Sequence, residues 1–144
     1  MKKLLWIEDE SFMIRSLFRP LERDGIDVEI ATSAAKGFYR CQKWQQYDAI
    51  VLDLIIPISD KPEKIPSIVM QWEKEMYVGI GLAKWLLVEA KVRCPVVVLS
   101  INRPSDDDNL INLGLAGYIS KNGLLPSQLR KQIMQFLELP KPKT

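Results

Sequence analysis

Ala49-Ile50-Val51-Leu52-Asp53-Leu54-Ile55-Ile56-Pro57 is the stretch that decides the fold. Four apolar residues in succession at 49–52, without helical spacing, read as a strand buried on both faces, as in a parallel sheet lying between helices. That strand stops on a carboxylate. An ionised Asp is costly to bury, so Asp53 belongs where the strand emerges at the carboxyl edge of the sheet. Open α/β folds keep their ligands at that edge. Taken alone, Asp53 would be no more than a residue that opens a turn; the flanking chain changes the reading.

Toward the amino terminus the same pattern recurs. Residues 3–7 form a short apolar run ending on Glu8-Asp9-Glu10, and Ser11 opens a segment with Phe12, Ile14, Leu17, Phe18 and Leu21 at mostly helical spacing. Pro20 is expected to kink or end that helix. Asp24-Gly25 turns into a second strand over 26–31. Thr32 or Ser33 then caps a helix running to about residue 44.

Toward the carboxyl terminus the rhythm first breaks. Residues 54–78 carry prolines at 57, 62 and 66, where a strand-to-helix connection usually takes about 2–6 residues. This is an insertion, at about 58–78. Within it Ile65, Ile68, Val69, Trp72 and Met76 share one helical face, so a short amphipathic helix is expected from Ser67 to about Tyr77. Its apolar stripe either packs on the neighbouring helices or offers Ile68, Trp72 and Met76 as a partner surface. The next helix spans 79–92, with Leu82, Leu86 and Ala90 inward and Gly81 weakening it.

Pro95 precedes a second continuous apolar strand, 96–99, ending at Ser100. Pro104 and the acidic start Ser105-Asp106-Asp107-Asp108 suit a helix amino terminus, and that helix runs to about 113. A fifth strand at 116–120 ends at Lys121. The last helix, 124–139, has Leu125, Leu129, Ile133, Phe136 and Leu137 apolar, and 140–144 is a frayed tail. Five strands alternating with helices imply an α/β fold with a doubly wound parallel sheet. The expected organisation is one domain, 1–139, interrupted by the insertion.

Composition excludes several classes of function. Twenty basic and 18 acidic residues give a net charge of +2, with the basic residues scattered, so neither nucleic acid nor an anionic membrane is expected as a direct partner. The absence of histidine rules out histidine triads, HExxH zinc sites and imidazole bases. Cys41 and Cys94 lack metal-ligand spacing and read as buried free thiols. The opening Met-Lys-Lys-Leu-Leu-Trp-Ile is cut short by acids too early for a signal peptide, and no run reaches membrane-spanning length. A cytoplasmic protein is expected.

Four strands thus terminate on polar groups: Glu8-Asp9, Asp53, Ser100 and Lys121. In a parallel sheet these ends share one edge. Crowded carboxylates repel, and a small hard cation such as Mg²⁺ relieves them while accepting a phosphoryl oxygen. Ser100 can donate to such an oxygen, and the Lys121 ammonium can neutralise it. Phosphoryl transfer needs little beyond that positioning, and a carboxylate can be the acceptor.

With these residues in place, the chain resembles the response-regulator receiver family of two-component signalling. The matching residues are Trp6-Ile7-Glu8-Asp9-Glu10, Val51-Leu52-Asp53-Leu54-Ile55-Ile56-Pro57, Val97-Val98-Leu99-Ser100 and Gly114-Leu115-Ala116-Gly117-Tyr118-Ile119-Ser120-Lys121. The resemblance implies strand order 2-1-3-4-5 with five flanking helices, and Asp53 as phosphoacceptor. It implies Mg²⁺ held by Glu8, Asp9, Asp53 and the backbone carbonyl of Ile55. It also implies Ser100 as hydroxyl switch, Tyr118 as the aromatic that moves with it, and Lys121 as the phosphate-binding lysine. Three features depart from the family: Ile101 where a small residue is usual, Asn122 where proline is usual, and the insertion.

The function so implied is that of a stand-alone phosphoacceptor rather than an enzyme. A histidine kinase or phosphotransfer protein would donate to Asp53, and output would pass through contact with an unknown protein. The competing reading is a degenerate receiver that binds partners without phosphorylation. A Mg²⁺ phosphoesterase would want a D-x-D pair, and the second position here is Ile55; a flavin site would want a less acidic turn after the first strand.

Overall fold

Alternate residues along each central strand divide between two cores. Leu4, Trp6, Val51, Val97 and Leu99 join one buried cluster, and Leu5, Ile7, Ile50, Leu52, Val96 and Val98 join the other. This is the period of two expected of strands covered on both faces. In the computed structural model the residues described are 2–9, 11–57, 65–70, 78–101 and 107–138, without the side chains of 11–14, 70, 107 and 108. The strands are β1 (Lys3–Ile7), β2 (Asp27–Ala31), β3 (Ala49–Leu52), β4 (Val96–Ser100) and β5 (Gly117–Ser120). All pair in parallel, in the order β2-β1-β3-β4-β5.

The helices are α1 (Ser11–Arg23), α2 (Ala34–Cys41), α3 (Ser67–Met70), α4 (Val78–Lys84), α5 (Asp107–Asn112) and α6 (Pro126–Leu137). On one face α1 supplies Phe18 and Leu21, and α6 supplies Leu129, Ile133 and Leu137. On the other, Ala34 and Cys41 of α2, Val69 of α3, Ile80 and Leu82 of α4 and Leu110 of α5 meet the sheet. The sheet is therefore doubly wound, with a helix beyond the expected five because the insertion contributes α3. Both cysteines are buried thiols outside any disulfide.

Local expectations fail where tertiary contacts override propensity. Pro20 neither ends nor breaks α1, which runs on to Arg23. Its ring removes one N–H, but Leu21 is fully buried and Asp24 N–H still donates to Pro20 O at 3.2 Å, so core packing holds the last turn. Helix α2 stops at Cys41, and a 3₁₀ turn, Trp44–Gln46, carries the chain toward β3. Ser33 caps α2, accepting from Lys36 N–H at 3.1 Å.

Helix α4 widens into a π turn, Trp85–Glu89, instead of continuing regularly to residue 92. There Trp85 lies edge-on to Phe38 with ring centroids 4.7 Å apart, and Leu86 stays buried. Leu125, one of the apolar residues of the last helix segment, is exposed, because it precedes the first turn of α6, where its N–H donates to Gln128 Oε1 at 3.0 Å.

Gly81 has a role the sequence reading does not assign. A Cβ there would lie 2.6 Å from Val69 Cα and 2.8 Å from Ile68 O. The backbones of α3 and α4 touch, and only glycine permits it. Ile65 and Val69 are buried and Ile68 packs against the same core, so this part of the stripe lies on the domain itself. Trp72, Met76, Pro104, Ser105, Asp106 and the 140–144 tail lie outside the described residues.

Candidate functional site

Three charged groups stand one residue beyond the last strand residue, each held by one more rung of the ladder. Glu8 N–H donates to Ala31 O at 2.9 Å, Asp53 N–H to Ile7 O at 2.9 Å, and Lys121 N–H to Ser100 O at 3.0 Å. The parallel register thus delivers all three to the carboxyl edge of the sheet. Their side chains converge there. Lys121 Nζ lies 2.6 Å from Glu8 Oε1 and 2.8 Å from Asp53 Oδ2. The other Asp53 oxygen, Oδ1, accepts from Ile55 N–H at 3.1 Å, which fixes the carboxylate plane.

Burial makes these contacts matter. Glu8 is 0% exposed and Asp53 7%. A buried carboxylate is disfavoured in its charged form. Burial pushes the Glu8 carboxyl up to about 8, a hydrogen bond and like charge with Asp53 push the same way, and Lys121 opposes them. For Lys121, burial would lower the pKa, but its two carboxylate partners outweigh that and raise it. Glu8 Oε2 is buried with no hydrogen-bond partner among the described residues.

Asp9, exposed, joins Glu8 and Asp53, and each offers a carboxylate oxygen within 4.8 Å of the others. This donor set fits a hard divalent cation: all ligands are oxygen, one is an orphaned buried oxygen, and one side is open to solvent for retained waters. The residues that would hold it are Glu8, Asp9 and Asp53. Ile55, whose carbonyl the resemblance adds, sits beside them with its side chain 42% exposed.

Ser100, 6% exposed, ends β4. Tyr118 is paired in register with Val98 and packs partly against the core shared by α2 and α4. Ile101, 56% exposed, follows Ser100 directly. The residues picked out in the sequence at the ends of β1, β3, β4 and β5 therefore share one edge.

Two residues that bear on the site were not singled out as part of it. Gly79 is packed against the phosphoacceptor candidate's backbone: a Cβ on it would lie 2.1 Å from Asp53 O and 2.6 Å from Leu54 Cα, and its N–H donates to Leu54 O at 2.9 Å. Its only sequence signal is Gly-Ile-Gly at a helix start. Asn122 donates from its side-chain amide to Ile101 O at 3.2 Å.

Comparison of the sequence alone finds no match to a protein-family model or to a curated protein. Comparison of the structure does. The receiver domain of the Francisella response regulator 1452 superposes with a TM-score of 0.70 at 20% identity, over 96% of this chain and 98% of that one. A two-component response regulator from Clostridium difficile gives 0.68 at 21%, over 95% and 96%. The non-phosphorylated HemR receiver domain from Leptospira biflexa gives 0.67 at 19%, over the whole of both chains. The chain has the fold of response-regulator receiver domains over nearly its whole length, with the sheet order that the resemblance implies.

Proposed function

We propose that this chain is a phosphoacceptor in two-component signalling, modified on Asp53 and acting through protein contacts. The observation that carries the reading is the Lys121 ammonium bridging Glu8 and Asp53 at a buried sheet edge, with Asp9 alongside. Such an arrangement offsets part of the carboxylate charge and leaves one ammonium able to reorganise around an added phosphoryl group.

In the reaction an Asp53 carboxylate oxygen attacks phosphorus, and the bond from phosphorus to the donor breaks. With a histidine kinase or phosphotransfer protein that bond is to an imidazole nitrogen, which leaves with the electron pair. Ile55 N–H orients the carboxylate through Oδ1. Lys121, already on Oδ2, is placed to follow the added charge as a mobile point cation. Ser100 supplies a hydroxyl donor from the end of the adjacent strand. Mg²⁺, held by Glu8, Asp9 and Asp53 with the Ile55 carbonyl, would supply neutralisation of the phosphoryl oxygens. The Ser100 and Tyr118 face then carries the change to an output protein. A cytoplasmic location and a role other than that of an enzyme belong to the same reading; among the described residues no helix is long and apolar enough to cross a membrane.

Incubation with Mg²⁺ and acetyl phosphate should add one phosphoryl group by intact mass. Asp53→Asn and chelation should each remove the adduct. An unchanged mass in the parent under all conditions would move the reading to a phosphorylation-independent interaction module.

A further inference from the structure

Lys121 reaches across an unusual distance. In the sheet order, β5 lies three positions from β1, about 14 Å at the usual strand spacing of about 4.8 Å, a gap closed only with the Lys121 and Glu8 side chains both reaching across the sheet edge. Nζ sits 2.6 Å from Glu8, just beyond β1. So extended a bridge depends on where the backbone of Lys121 is held at the end of β5. Nothing intrinsic to the loop enforces that, because Gly123, two residues on, has φ +65 and the freedom of glycine.

Two cross-loop bonds hold that position. Lys121 N–H donates to Ser100 O at 3.0 Å, and the Asn122 side-chain amide donates to the next carbonyl, Ile101 O, at 3.2 Å. Asn122 is itself fixed from behind, its N–H donating to Ser120 Oγ at 3.2 Å. The carboxamide thus adds a rung to the β4–β5 ladder beyond the point where backbone pairing ends. The geometry points to Asn122 as a positioning residue of the site, clipping the loop after β5 to the loop after β4 so that Lys121 bridges Glu8 and Asp53. Its consequence for phosphoryl chemistry rests on the proposed role of Asp53; its hold on Lys121 does not.

The test separates those two. In the ¹⁵N-labelled full chain, the Lys121 ammonium, shielded by two carboxylates, should give an NMR signal that exchanges slowly with water. Asn122→Asp removes the donor at nearly constant shape, and Asn122→Ala removes the side chain. Each should speed that exchange by about three- to tenfold, the range set by the net worth of one hydrogen bond. Each should also slow phosphorylation by acetyl phosphate by a similar factor while leaving the melting curve nearly in place, which a purely structural role would not do. An unchanged Lys121 signal in the folded Ala variant overturns the inference. A parent that takes no phosphoryl group, with Lys121 still loosened in both variants, sinks the phosphoacceptor reading and leaves the clip standing.

Discussion

Gly79→Ala sets a sequence argument against a structural one. Helix propensity alone favours alanine over glycine by about 1 kcal/mol, so the change should stabilise α4. The packing says otherwise. The new methyl would lie 2.1 Å from Asp53 O, 2.6 Å from Leu54 Cα and 2.9 Å from Leu54 O, all backbone atoms that no rotamer can move aside. Reaching ordinary contact at 3.4 Å requires a retreat of about 1.3 Å at the closest pair. That movement breaks the buried bond from Gly79 N–H to Leu54 O, worth about 1–3 kcal/mol when both groups lose their partner. Prying packed elements apart adds about 1–3 kcal/mol. Against the helix gain, the net loss is about 1–5 kcal/mol, read as a lower urea midpoint at constant m-value.

Because the displaced backbone belongs to Asp53, formation of the phosphoryl adduct should fall as well. Gly81→Ala is the internal control: its clash is with Val69 Cα at 2.6 Å, on a four-residue helix able to yield, so stability should fall less and the adduct should persist. A Gly79→Ala protein as stable as the parent, or more so, would refute the close-packing argument.

Val69→Ala, removing two fully buried carbons from α3, should lower stability by about 2–3 kcal/mol, with Ile68→Ser lowering it less; an unmoved denaturation midpoint for Val69→Ala would mean that α3 is not docked. On the proposed role of Asp53, Ile101→Ala should shorten the lifetime of the adduct by removing apolar bulk from the exposed residue next to Ser100; equal or slower decay by timed mass measurement would remove that argument. Burial raises the Glu29 pKa, but the Tyr47 hydroxyl, Arg40 and Lys3 outweigh it and hold it below its ordinary value. The group's contribution to stability is therefore present above the unfolded carboxylate pKa and lost as pH falls through the folded one. Tyr47→Phe should flatten that acid limb by no more than about 1 kcal/mol, given solvent screening of the cluster, and an unchanged limb in acid titrations would show that Tyr47 does not support it.

The strands were legible in the sequence because runs such as 49–52 and 96–99 leave no helical option, and the polar residues that follow them mark the carboxyl edge, where Glu8 and Asp53 are buried against Lys121. Glu8, Asp9, Asp53, Ser100 and Lys121 could be picked out for the same reason: in a parallel sheet, sequence position after a strand is also position at one edge. What periodicity could not show was which backbones touch. Gly81 reads as a weak helix residue until the backbone of Val69 is seen against it, Pro20 as a helix end until Leu21 is seen in the core, and Asn122 only as a departure from the usual proline until Ile101 O is seen within reach. Each of these depends on contacts between segments distant in the chain, and a local pattern carries no record of its distant neighbours. The ion bridge through Lys121 is of the same kind: the sequence supplies three charges, and only the strand order and the placement of Lys121 at the end of β5 bring them within hydrogen-bond distance.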